Sequence, residues 1–281
     1  MPQHEKEFAS QYAVVIKPRS FQGYWKEIWQ FREILYILAR RDIVVRYKQT
    51  IVGLLWTLIK PLLTMVAFTI VFSKIADLPS TGMPYPVLVL AGLLPWYFFS
   101  NTLGEMGNSI VNNQSMVSKI YFPRLLLPFS TISVGLIDLL IALVLLFVLM
   151  IFYGMAFSVT LLMLPFFMVF CALACIGPGL LFAGMNVKYR DVRIVIPFII
   201  QFGLYISPVG FSSTLVSENL RMLYAINPMV SVIDGFRWCI SAGQTPIFWP
   251  GFMVSFAVTA FMLVVGLWYF RRVDKTFADV I

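Results

Sequence analysis

The hydrophobic pattern of this chain consists of six apolar runs separated by shorter polar segments. Each run holds about 20 residues with almost no charge, the length that a helix needs to cross a bilayer. The pattern predicts an all-α, polytopic membrane protein with a segment at 1–52, a transmembrane domain at 53–270 and a tail at 271–281. The six predicted spans cover about 53–73, 86–106, 126–152, 159–183, 194–212 and 250–270.

Apolar residues also recur at helical spacing before the first span. Ile28, Phe31, Leu35 and Leu38 fall on one side of a helix over about 24–40, with polar residues largely opposite them. This spacing predicts an N-terminal amphipathic helix on the cytoplasmic membrane surface. Packing of the same helix on a partner protein is a compatible alternative.

The segment between the last two spans, at about 213–249, is too broken to cross the membrane. We predict short re-entrant helices there, because irregular backbone at membrane depth must be covered by protein or water. A loop that lies on the outer surface is the alternative.

The distribution of basic residues predicts the orientation of the chain. Seventeen of the 21 Lys and Arg lie in the N-terminal segment, in the loops after spans two and four, and in the tail. The alternate loops hold only Lys74, Arg221 and Arg237, so we expect both termini to be cytoplasmic. The net charge of +8 therefore indicates a cytoplasmic membrane face, and we expect no nucleic acid partner. Residues 1–20 lack the apolar core of a secretory signal peptide.

Ionisable residues inside the predicted spans are few and therefore informative. Lys60 lies about two turns into span one, where its stem can snorkel to the inner interface. Asp138 lies near the middle of span three and is either protonated or paired, with Lys60 or with a hydroxyl on another span. Glu105 lies near a span end, where we expect it to be solvated.

The sequence has no recognisable catalytic, metal-binding or nucleotide-binding motif. It lacks a phosphate-binding loop, so ATP-driven transport would need a separate motor chain. Cys171 and Cys175 are expected to be packing residues. We expect no catalytic residue, no metal site and no cofactor on this chain.

Aromatic side chains are concentrated in three of the predicted spans. Aromatic faces can stack on the C–H faces of sugars, so a pore lined by them would pass glycans without gripping them. Helix packing or lipid contact is the alternative interpretation. The candidate path residues are Phe68, Phe72, Trp96, Tyr97, Phe198, Phe202 and Tyr205.

The loop at about 108–124 is cytoplasmic by the charge distribution. Its Asn and Ser residues can cap a short helix, and Pro123 ends it. Such a helix could dock into a groove of an ATPase, whereas the alternative is a simple connector.

Four segments together carry a family resemblance. They are ARRDIVVRYKQTIVGLLWTLIKPLL, VSKIYFPRLLLP, NVKYRDVRIVIPFIIQFGLYISPVGF and NPM. The chain resembles the ABC-2 type permease subunits of bacterial polysaccharide exporters, above all those of O-antigen exporters. Lys60 departs from the neutral polar residue that is more usual before this proline, so no family role is carried to it.

The resemblance implies that two permease copies form the channel and that two ATP-binding cassette subunits, holding ATP and Mg, drive it. It implies a glycan on a polyprenyl pyrophosphate lipid, moved from the inner to the outer leaflet of the bacterial inner membrane. The alternatives are export of capsular polysaccharide, teichoic acid or a small drug or lipid, and a membrane glycosyl or acyl transferase.

The resemblance also implies roles for two groups of residues on the cytoplasmic side. ATPase coupling would fall on Ser115, Met116, Val117, Ser118 and Lys119. The inner gate or ATPase interface would include Arg46, Tyr47, Tyr189, Arg190, Asp191 and Arg193.

Overall fold

The computed structural model describes residues 21–48, 51–80, 82–189 and 191–274, which form an all-helical protein. Arg190 and the predicted tail beyond residue 274 lie outside the described residues. The helices are α1 Phe21–Gln30, α2 Arg32–Tyr47, α3 Ile51–Phe68, α4 Tyr85–Asn112, α5 Gln114–Val117, α6 Leu126–Phe152, α7 Leu164–Lys188, α8 Val192–Ile206, α9 Glu218–Tyr224, α10 Pro228–Ile240 and α11 Trp249–Asp274. A π-helix, Thr69–Ile75, continues α3, and a 3-10 turn, Val159–Met163, leads into α7.

Five helical segments of the described chain are long and apolar enough to cross a membrane. They are Leu55–Ile75, Tyr85–Asn112, Leu126–Phe152, Val159–Lys188 and Trp249–Asp274. They coincide with the first, second, third, fourth and sixth predicted spans. The chain is therefore a polytopic membrane protein.

The fifth predicted span, 194–212, is shorter in the structure than the sequence predicts. Helix α8 ends at Ile206, and Ser207 adopts an extended conformation, which the following Pro208 favours by steric exclusion of helical geometry. Fifteen residues rise about 22 Å, less than the roughly 30 Å of the bilayer core.

Several other helices extend beyond the predicted spans, and α4 and α7 do so by the most residues at a single end. Helix α4 continues to Asn112, past the predicted end at 106, and α7 continues to Lys188. In α4 the extension is amphipathic, because Met106 and Ile110 pack into a buried cluster while polar residues occupy another face. Hydropathy alone ends such a helix too early.

Helix α4 is the centre of the bundle, where it packs against α3, α6, α7, α8 and α10. Most of its residues are buried, whereas few residues of α3 are. Helices α3 and α8 both expose large apolar side chains, among them Leu63, Val66, Ile194 and Phe198. Lipid or another protein chain must cover these two faces.

Small residues permit the closest helix contact of the bundle, between α7 and α11. A Cβ atom on Gly177 would lie 2.6 Å from the backbone carbonyl carbon of Met262. This type of contact is common between membrane helices, which gain from close backbone approach. The three thiols, Cys171, Cys175 and Cys239, are all free and buried.

The segment between α8 and α11 forms two short helices, α9 and α10, rather than an irregular loop. Most of α10 is buried, and it packs against α4, α7 and α11. Asn227 caps α10 by accepting a 3.1 Å hydrogen bond from the Met229 amide. Protein therefore covers α10, as membrane depth would require, whereas no residue of α9 is buried.

Candidate functional site

A groove of about 630 Å³ runs between α3, α4 and α8, and we call it the α3–α4–α8 groove. Its walls combine apolar residues of α8 with many polar side chains. An adjoining cavity of about 350 Å³ shares Lys60, Tyr97 and Asn101 with it and reaches Asp138. The groove therefore places many polar side chains within the predicted membrane domain.

One face of α4 supplies most of these polar groups. The face consists of Tyr97, Asn101, Glu105, Asn108 and Asn112, which we call the polar stripe. Its members are four, four, three and four residues apart, so they lie in line along the helix. The hydropathy pattern does not reveal this stripe, although its helical spacing is a signal in the sequence.

The outer part of the polar stripe is held by span one. The hydroxyls of Thr64 and Tyr97 lie 2.7 Å apart, and the ammonium of Lys60 lies 5.1 Å from the centre of the Tyr97 ring. This distance is within the range of a cation–π contact. Lys60 therefore faces the groove beside an aromatic ring.

Asp138 is paired with the helix that precedes span one. Its carboxylate lies 2.6 Å from Arg46 Nη2 and accepts a hydrogen bond from the Tyr47 hydroxyl. The predicted partners were Lys60 and a hydroxyl on another span, whereas the structure pairs Asp138 with Arg46 and with the Tyr47 hydroxyl, both on α2. Burial, and then the hydrogen bond to Asp138, raise the pKa of Tyr47 above its ordinary value.

A second carboxylate joins the same two helices. Asp42 accepts a 3.0 Å hydrogen bond from the Ser130 hydroxyl of α6 and pairs with its neighbour Arg41 at 2.8 Å. Helix α2 is thus fixed to α6 at two points. Helices α2 and α6 therefore form one packed unit.

The predicted aromatic path residues occupy three places. Trp96 and Tyr97 line the groove. Phe68 and Phe72 meet edge to face at 5.4 Å and pack against Gly210. Phe198 and Phe202 stack at 6.1 Å, and together with Tyr205 they lie on the exposed face of α8.

The predicted coupling segment forms the single turn α5 and the residues after it. Val117 is buried in the apolar cluster at the inner ends of α4 and α7. Ser115, Ser118 and Lys119 are exposed, and the Met116 sulfur lies 4.0 Å from Arg41 Nη1. One apolar side chain therefore anchors the turn and leaves its polar residues outside.

The loop after this turn is tied to both ends of the chain that the structure describes. Tyr121 donates a 3.1 Å hydrogen bond to Glu27 of α1. Arg124 donates a 2.6 Å hydrogen bond to the carbonyl oxygen of Asp274. This loop therefore joins α1 to the end of α11.

The predicted gate residues separate into two groups. Arg46 and Tyr47 bind Asp138, and Arg46 also lines the groove. Tyr189, Asp191 and Arg193 are exposed before and at the start of α8. Arg190 lies outside the described residues.

Side chains from two other helices hold the turn that follows α8. Arg237 of α10 is only 2% exposed and donates to the carbonyl oxygens of Leu88, Val209 and Phe211 at 3.2, 3.0 and 2.8 Å. Tyr85 donates to the Gly210 carbonyl oxygen at 2.6 Å. These donors satisfy carbonyl groups of the turn at 209–211 that follows α8.

Burial lowers the pKa of Arg237 to about 10, so the side chain stays charged at neutral pH. From the charge distribution, Arg237 is predicted only to be one of three basic residues in the alternate loops. Its isolation in an apolar stretch was the signal for a buried, hydrogen-bonded role.

Across the described residues, no three His, Cys, Asp or Glu side chains lie close enough together to hold a metal ion. Long apolar helices around a polar groove are typical of a membrane transport subunit.

The chain belongs to the ABC-2 type transporter family, whose model matches residues 33–241. It is thus a membrane permease domain, and membership implies a partner ATPase subunit. The alternative of a membrane glycosyl or acyl transferase is set aside by this assignment.

Several curated relatives cover most of the chain. The O-antigen export system permease protein RfbA of Myxococcus xanthus is 26% identical over 260 residues, which are 91% of this chain and 98% of that protein. RfbA of Klebsiella pneumoniae is 23% identical over 89% of this chain and 95% of its own length. The polysialic acid transport protein KpsM of Escherichia coli is 25% identical over 73% of this chain and 80% of its own length. The permease family of polysaccharide export is the class that these relatives share.

Proposed function

We propose that this chain is the permease subunit of an ATP-driven exporter that moves a lipid-linked polysaccharide of the O-antigen type across the bacterial inner membrane. The observation that carries the proposal is the long polar groove beside exposed aromatic side chains, in a chain similar to O-antigen permeases over about nine tenths of its length. A hydrophilic chain needs such a surface, because sugar hydroxyls are costly to place in hydrocarbon.

In the proposed topology, α8 is the fifth of six spans. Its 15 residues are extended towards the outer surface by the turn after Ile206, whose carbonyl groups Arg237 and Tyr85 satisfy. Both termini lie in the cytoplasm, α9 and α10 are re-entrant helices, and the N-terminal amphipathic helix lies on the inner surface. This arrangement agrees with the basic residues on alternate loops.

The working exporter comprises two permease copies and two ATP-binding cassette subunits, which hold the ATP and Mg. The exposed apolar faces of α3 and α8 suit a second permease copy, because both faces border the groove that a channel would use. The exposed Ser115, Ser118 and Lys119 suit contact with the ATPase, since Val117 anchors the turn that carries them.

The aromatic residues line the glycan path in this proposal. Phe198, Phe202 and Tyr205 lie on an exposed face of α8, which is not the face that lines the groove, and their flat rings would allow a sugar chain to slide. Tyr189, Asp191 and Arg193 lie at the entrance, where charged groups can meet the lipid pyrophosphate or the ATPase.

Export of a capsular polysaccharide is the second candidate, and similarity to the KpsM proteins favours it. A strain that lacks the gene distinguishes the two candidates. Deletion should trap lipid-linked glycan on the inner leaflet. The polysaccharide that is then missing from the surface, O-antigen or capsule, shows which candidate is correct. Normal surface polysaccharide in the deletion strain would refute both candidates.

A further inference from the structure

Four side chains of the groove make no hydrogen bond or ion pair within the described chain. They are Asn101, Glu105, Asn112 and Gln201. Asn101 is half-buried and the other three are exposed to the groove. Polar groups at this depth are costly in lipid, so water or a ligand must bind them.

Resting on the proposed function, we propose that these four side chains bind the hydroxyl groups of an uncharged glycan along the cytoplasmic half of the groove. An amide both donates and accepts hydrogen bonds, as a sugar hydroxyl does. From Asn101 to Asn112 the polar stripe rises about 16 Å, so several hydroxyls of an extended sugar chain meet it at once.

The other polar members of the groove have a different role. Tyr97 is held by Thr64. Asn108 donates to the Gly104 carbonyl at 2.8 Å and accepts from Asn186 at 3.0 Å. These residues fix the frame of the groove, and the four unpaired side chains are left as its binding groups.

The charges of the groove favour an uncharged chain. Arg46 is paired with Asp138, and the remaining Lys60 and Glu105 have opposite signs. A path for a polyanion would need an excess of positive over negative charge to attract it. In this groove the Glu105 carboxylate would repel a polyanion, and its charge offsets that of Lys60.

Two double variants of similar size test the hydrogen bonds. Asn101→Ala with Gln201→Ala removes both amides, whereas Asn101→Ser with Gln201→Ser keeps a hydroxyl at each position. Each is purified with its ATPase in nanodiscs, and ATP hydrolysis is titrated with lipid-linked glycan extracted from the permease-deletion strain. Asn219→Ala, an exposed amide on α9, is the matched control.

The alanine pair should raise the glycan concentration for half-maximal stimulation about tenfold, the effect of two neutral hydrogen bonds. The serine pair should stay closer to the wild type, and Asn219→Ala should match it. Equal behaviour of the alanine and serine pairs, at equal thermal stability, would overturn the binding role.

A complementation experiment separates this inference from the proposed function. If the wild-type gene fails to restore surface polysaccharide to the deletion strain, the proposed function is wrong. If the wild type and the alanine pair restore it equally, only the role of the four side chains is wrong. Retention of the native polysaccharide on an anion exchanger as a polyanion would contradict an uncharged substrate.

Discussion

Arg237 Nη1 donates a 2.8 Å hydrogen bond to the carbonyl oxygen of Phe211, so an arginine of α10 holds the turn that follows α8. The same side chain binds Leu88 of α4 and Val209. Three segments that are distant in the sequence therefore meet at one guanidinium. The planar fork of Arg suits several acceptors at once, which a Lys ammonium does not match.

Arg237→Met should lower the free energy of unfolding by about 3 kcal/mol or more, because three buried carbonyl groups lose their donor. Arg237→Lys should give an intermediate loss. Thermal unfolding of the purified chain in detergent measures both. Arg221→Met is the control, since Arg221 also binds carbonyl oxygens but is only half-buried. An equal or larger loss in the control would contradict a special role for Arg237.

Asp234 should make stability depend on pH. Burial raises its pKa from 3.8 to about 6, although Arg237, Ser213 and Arg221 oppose the shift. Because the folded state binds the proton more tightly, this contribution is complete below pH 3.8 and is lost as the pH rises through about 6. The melting temperature should therefore fall between about pH 4 and pH 6.

Asp234→Asn should flatten that profile and stabilise the chain at pH 7. The full shift corresponds to about 3 kcal/mol, and because water reaches the partly exposed side chain the expected gain is about 1 kcal/mol. Glu218→Gln, an exposed carboxylate on α9, is the control. A profile of Asp234→Asn that parallels the wild type would refute the assignment.

The pair of Arg46 and Asp138 should couple α2 to span three. A double-mutant cycle with Arg46→Met and Asp138→Leu should give a coupling energy of about 1–3 kcal/mol in thermal unfolding. Either single variant should lower the free energy of unfolding more than the double variant does, because a single substitution leaves one charge without its partner. Additive losses would mean that the pair does not stabilise the docking of α2.

The coupling segment should separate transport from ATP hydrolysis. Ser118→Ala with Lys119→Ala changes only exposed side chains, so the fold should persist while export per ATP falls severalfold. Val117→Ala should instead destabilise the chain, since it removes a buried anchor. Unchanged export per ATP in several exposed variants would refute the contact with the ATPase.

The exposed aromatic face of α8 should control the length of the exported glycan. Phe202→Ala with Tyr205→Ala should reduce long chains most, because each lost stacking contact costs about 1 kcal/mol by analogy with base stacking. Gel profiles of surface polysaccharide measure the distribution. Phe261→Ala, an equally exposed aromatic residue of α11, should leave it unchanged. A wild-type profile for the double variant would place these rings outside the path.

The presence and order of the long membrane helices were predictable because a run of about 20 apolar residues is visible in local hydropathy. The ends of these helices were less predictable, as Asn112 at the end of α4 shows. Polar residues on one face of α4 lower the mean hydropathy there, while Ile110 on another face stays buried. Pro208 marked the end of α8 only approximately. A proline disfavours helical geometry at the residue before it, so the helix ends ahead of Ser207.

The partners of isolated polar residues could not be predicted. Asp138 had several possible partners in the sequence, and only the packing of α2 on α6 selects Arg46 and Tyr47. The role of Arg237 depends on the path of the turn at 209–211, which no local pattern encodes. The polar stripe, by contrast, was present in the spacing of α4 and required only a search for polar periodicity within an apolar helix.

The burial of all three thiols makes the wild-type chain a suitable background for chemical labelling. Cys171, Cys175 and Cys239 are each fully shielded within the fold, so a membrane-impermeant maleimide should leave them unmodified. New cysteines at Ser115 and Ser217, both exposed, can then be introduced without first removing the native ones. Labelling of intact cells would read the sidedness of the coupling turn and of the outer helices directly.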